Sequence, residues 1–370
     1  MLTNVILALG ALASTATANP LPAKFEVIEA RATACTFTNT ADIAKSKKTC
    51  DSITLNNIAV PAGTTLDLSS LKSGAHVVFQ GKTTFGYKEW EGPLIQISGE
   101  KITVEGASGH IIDADGARWW DGQGGNGGKT KPKLLAVKGL NNSIVKGLNF
   151  KDQPVHGISV NTVNNLQLID VTLDASAGDF KGGHNTDGFD VGNAQNILIS
   201  GAIVKNQDDC LAINSGTNIT FTGGNCSGGH GLSIGSVGNR SNNVVKTIRI
   251  NNSKISNSDN GVRIKTISGA TGSVSDVIYD TITLSNIAKN GIVIEQDYEN
   301  GSPTGTPTAG VPITGLTINK VVGTVASKGT NVYILCAKGA CSNWKWSGVN
   351  VTGGGKPKSC QNVPSPAACS

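Results

Sequence analysis

The sequence predicts an all-β chain wound as a parallel β-helix of about ten coils. Three observations carry that reading. First, a short phrase recurs with a turn residue, a small residue and then alternating apolar positions: His156-Gly-Ile-Ser-Val, Asp187-Gly-Phe-Asp-Val, Asp209-Cys-Leu-Ala-Ile, His230-Gly-Leu-Ser-Ile, Asn260-Gly-Val-Arg-Ile and Asn290-Gly-Ile-Val-Ile. Its first positions step by 31, 22, 21, 30 and 30 residues. Second, another strand-like series alternates with it: Leu166-Gln-Leu, Ile197-Leu-Ile, Ile219-Thr-Phe, Ile248-Arg-Ile, Ile278 and Leu316-Thr-Ile. Both series have period two and a β-branched bias. Third, Asn, Gly and Ser punctuate the gaps as turns, and no long amphipathic helix is present. A period of 20–30 residues carrying several short strands means a solenoid, in which each coil buries its apolar side chains against its neighbours. A β-sandwich or a propeller is the competing architecture, but a propeller needs a longer and more regular period.

From the N-terminus, Val5 to Ala13 is a short apolar run followed by Ala16-Thr17-Ala18, a small-x-small cleavage signal. The run is too short to span a bilayer, so residues 1–18 read as a secretory signal peptide. Residues 19–31 read as a propeptide ending at the single basic Arg31, and residues 32–370 as one catalytic domain. The formal charge of +5 is mild for a nucleic-acid binder and suits a polyanionic partner. No stretch implies a membrane anchor, and no nucleic-acid motif occurs.

Secretion sets the reading of the eight cysteines. They fall as four close couples, and neighbour pairing closes the loops Cys35–Cys50, Cys210–Cys226, Cys336–Cys341 and Cys360–Cys369. Oxidised loops are the expected state outside the cell. No His–Cys cluster has zinc-ligand spacing, so no metal is expected. Sequons at Asn141, Asn218, Asn225, Asn239, Asn251, Asn300 and Asn350 permit N-glycans. The glycine-rich stretch Gly122-Gln-Gly-Gly-Asn-Gly-Gly-Lys-Thr130 fails the phosphate-loop pattern and is read as a flexible loop. Trp119-Trp120 before it is read as packing under that loop.

The repeat has a chemical consequence. Equivalent positions on successive coils stack at about 4.8 Å per step. Asp187, Asp209, His230 and Asn260 hold one such position, so two carboxylates and an imidazole share a column. Alternation sends Val262 and Ile264 inward, and Arg263 and Lys265 outward onto the same face. The doublet Asp208-Asp209 precedes a buried strand and stacks beside Asp187, which is costly unless the charge is used. Arg263 and Lys265, facing a cleft, form a cationic pair suited to a carboxylate substrate. Asp190 is read as structural. His76, His110, His156 and His184 are read as ordinary hydrogen-bonded histidines.

Four segments, Asn185-Thr-Asp-Gly-Phe-Asp, Asn206-Gln-Asp-Asp, Gly229-His-Gly-Leu-Ser-Ile-Gly-Ser and Arg263-Ile-Lys265, resemble in order the signature segments of the polygalacturonases, glycoside hydrolase family 28. The resemblance covers about Cys35 to Ser370, with the compact spacing of fungal endo-acting members. It implies a right-handed β-helix and inverting hydrolysis of α-1,4-linked galacturonan. By resemblance Asp208 is the general acid, Asp187 and Asp209 activate water, and His230 supports the acid's protonation. Arg263 and Lys265 grip substrate carboxylates, with Tyr298 and Asn185 lining the sugar site. An inverting glycosidase needs one protonated carboxyl on the leaving oxygen and one carboxylate on the water. Crowded carboxylates keep one proton to higher pH.

The expected partner is therefore polygalacturonate or pectin, met outside the cell by a monomer without a cofactor. Competing activities on the same solenoid are exo-polygalacturonase, rhamnogalacturonan hydrolase and pectate lyase. The first needs an inserted loop closing the cleft, and no large insertion is visible. The second has less reason to keep Arg263 and Lys265 together. The third needs a calcium cluster and a basic proton abstractor. A non-catalytic glycan-binding β-helix is the alternative of a different class, and it has no use for a protonatable column.

Overall fold

The computed structural model describes residues 32–300, 303–355, 357 and 359–370. The expected signal peptide and propeptide lie outside the described residues. The described residues wind as a parallel β-helix in two sheets, one of 10 strands and one of 21. The 10-stranded sheet runs from Leu66–Leu68 to Thr330–Leu335, one strand per coil, which matches the expected coil number.

Register is what converts the repeat into a site. Ile158, Phe189, Leu211, Leu232, Val262, Ile292 and Val332 align strand to strand along the helix. All are buried and point into the core. The residue between each of these and the next inward position therefore faces out. The same alignment stacks the turn residues two positions earlier, as the sequence column requires. The small residue after the column position has a cause: a Cβ on Gly188 would meet the Cys210 carbonyl oxygen at 2.5 Å. The coils approach too closely there for a larger side chain.

The second series aligns as Leu166, Ile197, Ile219, Ile248, Val277 and Leu316. This corrects one position. Val277, not Ile278, carries the register, and Ile278 pairs with Arg249 on the outer face. At the turn before this series the backbone is left-handed in Asn142, Asn165, Asn196 and Asn218, with φ between 49° and 60°. Asn tolerates that region best among residues with a Cβ. Asn165 Nδ2 donates to Asn142 Oδ1 at 2.7 Å and Asn218 Nδ2 to Asn196 Oδ1 at 2.7 Å.

A solenoid needs covered ends. The helix Thr40–Ser46, N-capped by Asn39, buries Ile43 and packs against Leu66–Leu68. All four disulfides pair as neighbours: Cys35–Cys50, Cys210–Cys226, Cys336–Cys341 and Cys360–Cys369. Trp119 and Trp120 are buried, and their indole N–H groups donate to the Lys88 and Gln153 carbonyls, so they pack as expected. Among the described residues no helix is long and apolar enough to cross a membrane.

Candidate active site

The outer face of the 10-stranded sheet carries a cleft of about 640 Å³ whose walls include Asp187, Asp208, Asp209, His230, Arg263, Lys265, Tyr298 and Asn185. Every sequence-predicted site residue thus comes together. The column is real: Gly188 N–H donates to the Asp209 carbonyl, and Cys210 N–H to the Gly231 carbonyl, so Asp187, Asp209 and His230 sit on adjacent coils.

The acidic doublet is held by its own turn. Asn206 Nδ2 lies 2.9–3.0 Å from the carbonyl oxygens of Thr186, Asp208 and Asp209. Asp208 Oδ1 accepts from Asp209 N–H at 2.7 Å and faces His230 Nδ1 at 3.0 Å. Its Oδ2 accepts from Asn185 Nδ2 at 2.7 Å. Asp209 accepts from Ser233 Oγ at 2.6 Å and from Lys265 Nζ at 2.8 Å. Asp187 differs, because its Oδ1 is buried without a hydrogen-bond partner.

These contacts separate the acids. Burial pushes Asp187 well above the usual carboxylate range, and the carboxylates of Asp208, Asp190 and Asp209 add to it. Burial also pushes Asp208 upward, but the His230 hydrogen bond, the His230 charge and Lys265 outweigh it, leaving Asp208 below the usual range. His230 moves the other way: burial opposes its charge, yet Asp208, Asp209 and Asp259 hold it above the ordinary imidazole value. In the free protein the His230–Asp208 pair therefore stores its proton on His230 Nδ1.

The cations are not idle. Lys265, 6% exposed, is committed to Asp209. An Arg263 guanidinium nitrogen lies 3.4 Å from Glu295 Oε1, and its Nε is unpartnered. Both charges lie over the Tyr298 ring, at 5.5 Å and 5.2 Å from its centre, a geometry that favours cations. Asn185 holds structure rather than leaving a free amide. Its Oδ1 accepts from Gly125 N–H at 3.0 Å, tying the glycine-rich loop to Asp208.

Several cleft residues escaped the sequence reading. Asp190, read as structural, lines the cleft with a buried Oδ2 that accepts no hydrogen bond. The signal was present: Asp190 holds the register position of Ser233 and Arg263, so the alternation that turns Arg263 outward also turns Asp190 outward. His156, read as an ordinary histidine, stands between Asp190 at 3.4 Å and Asp187 at 3.9 Å. The glycine-rich loop, read only as flexible, lends Gly125 and Asn126 to the cleft wall. Asp259 and Lys289 occupy the position one residue ahead of the column, the same as Asp208, and also line it.

Asp208, Asp209 and His230 each bring one ligand-type atom within 4.8 Å of the others, the one such group among the described residues. Both Asp209 oxygens already accept from Ser233 and Lys265. The positive charge that a divalent ion would bring is supplied there by an ammonium group.

Residues 50–369 match the model of a family described as glycosyl hydrolases family 28. Over 363 residues the chain is 65% identical to endopolygalacturonase 1 of Colletotrichum lindemuthianum, covering 98% of each. Over 364 residues it is 60% identical to the probable endopolygalacturonase I of Aspergillus flavus, covering 98% of this chain and 99% of that one. Among solved structures it resembles endopolygalacturonase I from Stereum purpureum complexed with two galacturonates, with a TM-score of 0.80 and 41% identity over 86% of this chain and 95% of that one.

Proposed function

Because this chain belongs to glycosyl hydrolases family 28, we propose that its cleft cuts α-1,4-galacturonosyl linkages within polygalacturonate, with inversion at the anomeric carbon. The chain is an endo-acting polygalacturonate hydrolase. The observation that carries the site assignment is the meeting of Asp187, Asp208, Asp209, His230, Arg263 and Lys265 in a single cleft.

The roles follow from the contacts. Asp208 stands at the leaving oxygen, its Oδ2 aimed by Asn185 and its Oδ1 by His230. As the glycosidic oxygen gains negative charge, His230 Nδ1 hands its proton to Asp208 across 3.0 Å, and Asp208 then protonates the leaving oxygen. Asp209, fixed by Lys265 and Ser233, and Asp187, with its free Oδ1, seat the attacking water. Once ionised, Asp187 is a stronger base than an ordinary carboxylate, because its surroundings favour the protonated form. Arg263 and Lys265 hold substrate carboxylates over Tyr298. Activity rises with pH as Asp187 ionises and falls as the His230–Asp208 pair loses its proton, giving an acidic optimum. We place the action outside the cell, where the four disulfides persist.

The raised proton affinity of Asp187 favours a second reading in which Asp187 is the acid. An aryl oligogalacturonide whose leaving group needs no proton separates the two. The variant lacking the acid recovers most of its lost turnover on that substrate, and we expect this of Asp208→Asn and not of Asp187→Asn; the reverse result overturns the assignment. On the natural polymer, viscosity falls quickly with few new reducing ends, and nuclear magnetic resonance finds the β-anomer first. An α-anomer appearing first would mean retention.

A further inference from the structure

His230 is flanked by two carboxylates, and only one belongs to the acid pair. The position ahead of the column is held on successive coils by Asp208, Gly229, Asp259 and Lys289. Gly229 places no side chain in the gap between the two aspartates, and none would fit on it: a Cβ there would meet the Asp208 carbonyl oxygen at 2.0 Å and Asn206 Oδ1 at 2.4 Å. The His230 ring bridges that gap. Its Nδ1 lies 3.0 Å from Asp208 Oδ1 and its Nε2 lies 3.5 Å from Asp259 Oδ2. Lys289 Nζ lies 2.8 Å from the same Asp259 Oδ2. The backbone fixes the group: Asp259 N–H donates to the Gly229 carbonyl, and Lys289 and Asn290 N–H both donate to the Asp259 carbonyl.

One oxygen thus serves two cationic groups. Lys289 is 67% exposed at its side chain, whereas His230 is 26% exposed. The lysine is the partner that an incoming anion can draw away. We propose that Asp259 is a positioning residue that fixes the Nε2 proton of His230, and that Lys289 relays to it the arrival of a substrate carboxylate. The inference rests on the galacturonan reading of the cleft. When a galacturonate carboxylate takes the Lys289 ammonium, Asp259 Oδ2 is freed to accept from His230 Nε2. The imidazolium is then held at both nitrogens, and the proton behind Asp208 is retained to higher pH. A methyl ester at that position carries no charge and leaves Lys289 on Asp259.

The charged groups facing His230 are few. Asp208 and Asp209 approach from the turn before Leu211–Ile213, Asp259 from the turn before Asn260–Ile267, and Lys289 from the turn before Asn290–Tyr298. Lys265 and Arg263 stand beyond Asp209. The three carboxylates outweigh burial and favour the charged ring. Loss of Asp259 therefore lowers the pH at which His230 gives up its proton, and loss of Lys289 raises it.

The test is the pH profile of kcat on saturating de-esterified polygalacturonate. The Asp259→Asn enzyme moves the basic limb to lower pH by about half a unit or more, and Asp259→Glu restores it. With Lys289→Met the limb moves to higher pH or holds, and KM rises. The double variant follows Asp259→Asn, because the lysine acts through Asp259. In the ligand-free proteins, nitrogen chemical shifts of the His230 ring report the same direction without catalysis. An unmoved limb and unmoved ring titration in a folded Asp259→Asn protein overturn the proposal. A wild-type protein inactive on this polymer, or an Asp208→Asn variant with most activity intact, overturns the underlying reading instead.

Discussion

On the 21-stranded face, polar groups at the turn are spent on one another: Asn165 donates to Asn142, Asn196 to Asn164 and Asn218 to Asn196. On the 10-stranded face of the same coils, Asp187, Asp190, His156 and Arg263 each keep a buried atom that makes no hydrogen bond, the first three meeting only at ion-pair distances of 3.4 and 3.9 Å. Both faces share one winding, each with its own backbone ladder. An unmet buried donor or acceptor costs about 1–3 kcal/mol, so the cleft is a destabilised region carried by a well-bonded one. The difference teaches where to look in a solenoid. Repetition that satisfies itself is scaffold, and repetition left unsatisfied is a site awaiting a ligand.

The largest expected effect lies at the centre of the cleft. Asp208→Asn is isosteric and its oxygen still accepts from the Asp209 N–H, so the fold survives, although the new amide group no longer accepts from Asn185 Nδ2. Turnover falls about 10²–10⁴-fold, the range for lost acid–base help. Matched melting curves and initial rates check both halves. A loss of structure alongside activity would move Asp208 from the catalytic side of the comparison to the scaffold side.

Lys265→Ala comes next, and the structure changes what it should do. The alternation of the strand suggests a simple carboxylate grip, which would raise KM alone. Lys265 Nζ instead lies 2.8 Å from Asp209, so its loss also leaves a buried carboxylate unpaired. We expect KM to rise and kcat to fall by about tenfold or more. A change confined to KM would show that Asp209 does not depend on the lysine.

The ladder gives the opposite signature. Asn196 is left-handed at φ 56° and bonds to neighbours on both sides. Asn196→Ala places alanine where it costs about 1–2 kcal/mol and interrupts the chain of amides. Denaturant unfolding should detect that loss while kcat stays at the wild-type value. Altered kcat would mean that the two faces communicate more than their separation allows.

Much of this contrast was legible before the structure. The column of Asp187, Asp209 and His230 follows from strand period and stacking alone, because one register fixes every equivalent position. The reading slipped where that period is mute. Val277, Ile278 and Tyr279 are three apolar residues in succession, so alternation could not choose among them, and Ile278 was placed inward. It also slipped where partners come from distant turns. Nothing in the sequence records that Gly125 meets Asn185, or that Lys265 is already paired with Asp209. Asp190 was a different failure, since the pattern that exposed Arg263 applied equally to it.

Asp190→Asn is the smallest effect and tests the comparison from the other side. Burial raises the Asp190 carboxyl above its ordinary value of 3.8, with His156 and Lys133 offsetting part of the cost. The folded chain therefore binds this proton more tightly than the unfolded chain does. Stability from this group is present below that ordinary value and declines as pH rises through the raised one. The amide cannot ionise, so the variant lacks that decline. At pH 6 it should be more stable than wild type by about 1 kcal/mol, with the gain shrinking toward pH 4. Activity should fall, because Asp190 lines the cleft beside Asp187 and His156. Thermal melts across that pH window decide the matter: a variant that is less stable at pH 6 would make Asp190 part of the scaffold, and the unmet oxygen a bonded one.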